Sequence, residues 1–229
     1  MTLSEMDEWF DHYLPAVPSR PGETSPCWIG RMKTPGRSQH NPPFYWLARA
    51  FDAVEADGAT ETMHARMVTA HGPEECDGTR DDNAQRVLSE ICAYAWTVKH
   101  LGSPVIEPVA EAALAAAPSA AIGQPRVRFH LPPHDMYVLP TRLRPETNVR
   151  EILDDIVAEA HAAADALPHG RGLMYLDMWY GRMYPANPGY DLDLTEPVQA
   201  VLRQVTAELH LGHVFTRPFQ WGNPVATSY

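Results

Sequence analysis

The segment FHLPPHDMY carries the densest group of side chains that could do chemistry. It places His130, His134 and Asp135 within six residues, on a turn between two strand candidates. Imidazoles and a carboxylate are ligands that divalent metals accept, so the cluster predicts a site for a divalent metal cofactor. Its two prolines exclude the helical spacing of a zinc-binding helix. The alternative is a hairpin turn with solvated histidines.

Asp177 is the second candidate, because it interrupts an otherwise apolar run. The segment LMYLDMWY, residues 173–180, is apolar on both faces apart from this residue, which is typical of a central strand. A carboxylate buried there must be paired or lie at the strand's end. Two interpretations follow. Asp177, with Asp135, is a catalytic acid facing a crevice, or it has a structural role, capping a loop amide or pairing with Arg171 or Arg182.

The elements that position these residues follow from hydrophobic periodicity and from turn residues. Helical spacing predicts a helix from Asn41-Pro42 to Asp57-Gly58, and alternation over residues 61–69 predicts a half-buried strand. Together the patterns predict an α/β (α+β) fold with a central mixed sheet flanked by helices. The other predicted helices are residues 4–15, 84–101, 109–122, 148–167 and 195–211, and the other predicted strands are 105–109, 126–130, 136–143 and 213–215.

The chain divides into a helical, proline-rich N-terminal extension, residues 1–58, and a main domain, residues 59–229. Residues 15–43 hold seven of the 22 prolines. A loop of this length is usually functional or wraps over a partner. The tail after residue 215 is predicted to be irregular and contains Trp221 and Tyr229. We therefore expect a protein partner, or a second copy of the chain, to bind through residues 15–43 and the tail.

Composition narrows the class of function. The net charge is −11, with 16 Arg and only two Lys among the basic side chains. Such an acidic balance argues against general nucleic-acid binding and against docking on anionic membranes. The three cysteines form no CxxC pair, the N-terminus has no basic leader, and no apolar run is long enough to span a bilayer. We expect a soluble, cytoplasmic protein.

From residue 81 onward the order of predicted elements resembles the restriction-endonuclease-like, PD-(D/E)xK, core over about 60% of the chain. That family has a helix, three strands, a helix and a strand, with acids and a lysine around Mg²⁺. The resemblance implies that Asp135 stands for the first acid and Glu90 for the helix acid. The lysine motif is absent, since Pro140-Thr141-Arg142 stands where an acid and a lysine are expected. The resemblance therefore implies a degenerate member.

Three functions remain open. The first is a non-catalytic interaction or assembly protein, such as a particle or mobile-element component. The second is a metal-assisted, hydrolase-type enzyme that uses Asp177 with His130, His134 and Asp135. The third is a degenerate nuclease-like domain that binds without cutting.

Overall fold

A computed structural model describes residue 8 and residues 42–70, 82–110, 126–143, 149–177, 195–216 and 224–228. Within these ranges lie five helices and six strands. The helices are α1 (Pro42–Ala56), α2 (Thr60–Ala70), α3 (Asp82–His100), α4 (Val149–Ala166) and α5 (Thr195–Glu208). The strands are β1 (Val105–Pro108), β2 (Val127–Leu131), β3 (Met136–Arg142), β4 (Gly172–Asp177), β5 (Gly212–Thr216) and β6 (Pro224–Ser228).

The six strands form one mixed sheet in chain order, which confirms the predicted fold class. Strands β3, β4 and β5 are parallel neighbours, because α4 and α5 carry the chain back across the sheet between them. The pairs β1–β2, β2–β3 and β5–β6 are antiparallel. The parallel unit therefore has its carboxyl ends at residues 142, 177 and 216, which we call the carboxyl edge. Its amino ends at residues 136, 172 and 212 form the amino edge.

Two apolar cores lie on the two faces of this sheet. One core joins α1, α2 and α3 to the sheet, and the other joins α4 and α5 to its opposite face. Alternation along β4 explains the division, since Leu173 and Tyr175 enter the first core while Met174 and Leu176 enter the second. All six residues of β4 are buried, as the apolar run predicted. None of the described helices combines the length and apolar composition needed to cross a bilayer.

Three details differ from the sequence expectations. Residues 61–69 lie in helix α2 and not in a strand: Met63 is buried and Arg66 reaches α3, at helical spacing. Part of the tail predicted to be irregular pairs with β5 as strand β6. Helix α1, assigned to the N-terminal extension, packs against α3 in the same core as the main domain.

Several sequence predictions fall outside the described residues. They are the predicted helix at 4–15 apart from residue 8, the proline-rich residues 15–41, the body of the alanine-rich helix at 111–122, residues 178–180 of the predicted central strand, Arg182, and the tail residues Trp221 and Tyr229.

Candidate functional site

Asp177 is the last residue of β4 and is 1% exposed. Its Oδ2 atom accepts a hydrogen bond from the hydroxyl of Ser89 on α3. Its Oδ1 atom accepts one from the hydroxyl of Thr216 on β5, at 3.0 Å. Its backbone carbonyl accepts a third from the amide of Leu143, at 3.3 Å. One residue therefore ties together α3, the end of β3 and the end of β5.

A thiol and a phenol lie beside this carboxylate. Cys92 and Tyr175 are both fully buried. Burial raises the pKa of the Cys92 thiol, and the negative charge of Asp177 raises that pKa further. The pKa of Tyr175 is raised by burial, and then by Cys92 and Asp177. Both groups are therefore protonated near neutral pH, and a sealed, protonated thiol is a poor nucleophile.

Glu90, the helix acid that the resemblance implies, is also held in an ion pair. Its two carboxylate oxygens accept hydrogen bonds from Nε and Nη2 of Arg66 on α2, both at 2.9 Å. Arg86 lies one turn earlier on α3, with its Nε atom 3.8 Å from the same carboxylate. A buried carboxylate needs such partners, because an uncompensated charge in the interior is strongly destabilising. Glu90 therefore ties α2 to α3.

Arg142 occupies the place where the resembled family has its lysine. It ends β3, is buried, and has Asp177 as its Cα partner on β4. Pro140, at the position of the expected acid, has no titratable side chain. Its backbone carbonyl accepts a hydrogen bond at 3.0 Å from Arg126, whose guanidinium also reaches Glu159 on α4 at 3.4 Å. Where the resemblance implies a lysine, β3 thus carries the buried cation Arg142, and where it implies an acid, the backbone of Pro140 is bonded to the guanidinium of Arg126.

Asp135 lies at the amino edge, on the turn between β2 and β3, where its carboxylate accepts a hydrogen bond from the guanidinium of Arg171. His134 is exposed on the same turn. His130 lies within β2, where its Nδ1 atom is 3.1 Å from Glu107 and its ring stacks on Tyr137 at 4.4 Å. Asp177 lies at the carboxyl edge, so it is paired neither with Arg171 nor with the histidine cluster, which lie at the amino edge. Its other predicted partner, Arg182, lies outside the described residues.

The structure does not bring the predicted site residues together. Strand β3 has seven residues, so Asp135 and Asp177 lie about 20 Å apart along the strand direction. His130, His134 and Asp135 do not converge either: the pairing of His130 with Glu107 and of Asp135 with Arg171 directs them to different neighbours. In the part of the chain that the structure describes, no three His, Cys, Asp or Glu side chains are placed to hold one metal ion.

A cleft of about 750 Å³ opens at the amino edge. It lies between the β2–β3 turn, the start of β4 and the end of α5, and its polar lining includes His134, Asp135, Arg171, Thr206 and His210. This volume falls within the range of small-molecule sites. Two of these residues, His134 and Asp135, were predicted site residues. The contact of Asp135 with Arg171 was not predicted, because it depends on how β3 and β4 pair.

No family model, curated protein or solved structure matches this chain. Inferences about function therefore rest on the geometry of the carboxyl edge and the amino edge.

Sequence reasoning missed Ser89 and Thr216, the two hydroxyls that hold Asp177. Ser89 gave no signal in the sequence, because its burial depends on how α3 packs on the sheet. Thr216 gave no signal either, since threonine is common in strands.

Proposed function

We propose that this chain is a non-catalytic interaction or assembly protein. The observation that carries the proposal is the environment of Asp177. Its carboxylate is buried and accepts hydrogen bonds from the hydroxyls of Ser89 and Thr216. A general acid or nucleophile must reach its substrate, whereas a structural carboxylate must be buried and satisfied. Glu90 and Asp135 likewise serve ion pairs, within the core and at the surface respectively.

The edge of the sheet at β1 supports an interaction role. Among the described strands β1 pairs only with β2, and it carries Val105, which is 50% exposed. An exposed edge strand presents backbone groups that a strand from another chain can pair with. Pro108 ends β1 and lacks an amide hydrogen, so pairing would use the residues before it. We propose that a second copy of the chain pairs with β1. Residues 15–43 and the tail of each chain would also contact the other copy.

Sedimentation velocity over a range of concentrations tests this role. We expect the full chain to self-associate, and Val105→Lys to weaken that association because it places a charge on the pairing edge. Among the residues whose side-chain exposure the structure describes, Val157 on α4 is the other large exposed hydrophobic residue, so Val157→Lys is the matched control. A chain lacking residues 1–40 tests whether the proline-rich N-terminal extension contributes to self-association, and circular dichroism checks that this shorter chain is folded. A full chain that stays monomeric at every concentration, or equal effects of the two lysine variants, would contradict the proposal.

The degenerate nuclease-like domain is a second candidate, favoured by one specific observation. From α3 to β4 the described order is helix, three strands, helix and strand, which is the order of the restriction-endonuclease-like core. Binding to duplex DNA at physiological salt would support it, and Arg142→Gln tests the buried cation at the lysine position. The charge of −11 works against this candidate, because DNA affinity depends on cationic contacts.

The metal-assisted hydrolase is the weakest of the three. It requires Asp177 and the His130, His134 and Asp135 cluster in one crevice, and these groups lie at opposite edges of the sheet.

A further inference from the structure

The amino-edge cleft contains one pair of opposite charges in direct contact. Arg171, just before β4, donates to the carboxylate of Asp135, and both side chains are more than half exposed. An exposed ion pair contributes little stability and opens easily, because water and salt screen it. The pair is therefore available to exchange partners with a ligand.

The backbone around the cleft is unusual. In the part of the chain that the structure describes, Asp135 (φ 49°) and His210 (φ 52°) are the residues other than glycine that have positive φ, and both line this cleft. His210 follows the end of α5, where the amide of Leu211 bonds to the carbonyl of Thr206 at 2.9 Å. Asp and His adopt this conformation more readily than most other residues, and it suits the turn at Asp135 and the helix end at His210. Positions of this kind also occur at ligand sites.

Adjacent opposite charges match a ligand that itself carries adjacent opposite charges. We propose that the amino-edge cleft binds a small zwitterion of the α-amino-acid type. The ligand's carboxylate pairs with the guanidinium of Arg171 and its ammonium pairs with Asp135, so that four charges alternate around a square. Binding a zwitterion leaves the net charge of the cleft unchanged. A guanidinium can also donate two parallel hydrogen bonds to one carboxylate.

The rest of the lining specifies the ligand's side chain. Met136 and, to a small extent, Leu211 provide apolar surface in the same cleft, whereas Leu173 is fully buried. The C-terminal end of α5 also faces the cleft, and its partial negative charge favours the ammonium group. The ligand is therefore an amino acid with an apolar side chain. This inference does not depend on the proposed interaction role, because the cleft and the Asp177 tie lie at opposite edges of the sheet.

Calorimetric titration with L-leucine tests the site, with the full chain as the protein. Two analogues separate the charges: isoamylamine lacks the carboxylate and 4-methylpentanoate lacks the ammonium group. Asp135→Asn and Arg171→Gln remove one protein charge each, and asparagine tolerates the positive φ of residue 135. Arg150→Gln is the matched control, because Arg150 lies in another exposed ion pair, with Asp154, outside the cleft.

We expect L-leucine to bind saturably, and each analogue and each cleft variant to weaken binding at least tenfold, while Arg150→Gln leaves it unchanged. Amide chemical shifts should change at residues 170–173 and 206–212. The proposal is overturned if leucine, methionine and phenylalanine show no saturation up to roughly 10 mM. It is also overturned if either analogue binds as tightly as leucine, or if the amide chemical shifts that change lie outside residues 170–173 and 206–212. Neither result bears on self-association, so failure here is distinguishable from failure of the interaction role.

Discussion

Removing either hydroxyl that holds Asp177 is expected to destabilise the protein. Ser89→Ala deletes the donor from α3, and Thr216→Val deletes the donor from β5 with little change in volume. Each substitution leaves a buried carboxylate oxygen with one hydrogen bond fewer. If Asp177 is a structural tie, the loss appears in the free energy of unfolding.

The expected size follows from the chemistry of the bond. A hydrogen bond to a charged group contributes about 1.5–3 kcal/mol, and a buried acceptor left unsatisfied costs a similar amount. We therefore expect each single variant to lose about 2 kcal/mol. For a chain of this length, 1 kcal/mol shifts Tm by about 2–4 °C, so the midpoint should fall by about 4–8 °C. The double variant should deviate from additivity, because both hydroxyls bind one carboxylate.

Urea titration followed by circular dichroism measures these differences. Ser103→Ala is the matched control: the Ser103 hydroxyl also donates to a carboxylate, that of Asp57, but it does so at the surface. A surface substitution of this kind usually changes stability by no more than about 0.5 kcal/mol. If Ser89→Ala and Thr216→Val behave like Ser103→Ala, the reasoning about Asp177 is refuted. A variant that keeps the full free energy of unfolding but loses an enzymatic activity would instead favour a catalytic role for Asp177.

Three further predictions follow from single contacts. The hydroxyl of Tyr175 has no hydrogen-bond partner in the described part of the chain, so Tyr175→Phe should leave stability unchanged or raise it by about 1 kcal/mol in urea titration. A clear loss would show that the hydroxyl has a partner. In Gly172→Ala the new Cβ would lie 2.8 Å from Leu167 Cβ and 2.9 Å from Leu211 Cδ1, and overpacking of this kind costs about 1–3 kcal/mol, measurable as a lower Tm. An unchanged Tm would contradict it. Burial and then Arg203 lower the pKa of His213, so the unfolded chain takes up the proton first and stability falls as the pH drops below about 6.5. His213→Gln should reduce this slope by at most about 1.4 kcal/mol per pH unit between pH 7.5 and 5.5, whereas parallel profiles would exclude His213 as a source.

The hydrogen bonds of Thr206 fix the tautomer of neutral His213. The single hydroxyl hydrogen of Thr206 is donated to the carbonyl of Leu202 at 2.6 Å. The hydroxyl oxygen therefore accepts from Nδ1–H of His213 at 2.9 Å. Protonation would add a charge at Nε2 in a buried position close to Arg203, and both effects oppose it.

Much of the fold could be predicted from the sequence because its strongest signals are local. Helix α3 has an apolar stripe with basic residues in its last turn, and β4 is apolar on both faces. Residues 61–69 misled, because Met63, Ala65 and Met67 alternate as a strand would. The signal for a helix was the first turn, where Thr60 precedes Glu61. Tertiary packing on α3 decided the outcome.

The candidate site could be predicted only in part. Asp177 lies at the end of β4, which is one of the two alternatives predicted for a carboxylate in this strand, and it accepts hydrogen bonds from hydroxyl groups. Its partners could not be inferred, because Ser89 precedes it by 88 residues and the contact depends on how α3 lies over the sheet. The clustering of His130, His134 and Asp135 in sequence was misleading for the opposite reason. Alternation along a strand and a turn separates close neighbours in the chain.

The complete burial of β4 also determines which strands of the sheet can expose their amides to solvent without global unfolding. Its amides lie between two parallel neighbours and beneath helices on both faces, so they can exchange hydrogen with solvent only when the whole domain unfolds. Amides of β1, at the margin of the sheet, can exchange through local fraying. Exchange rates along the sheet should therefore rise from β4 towards β1, and the slowest amides of β4 should report the global free energy of unfolding directly.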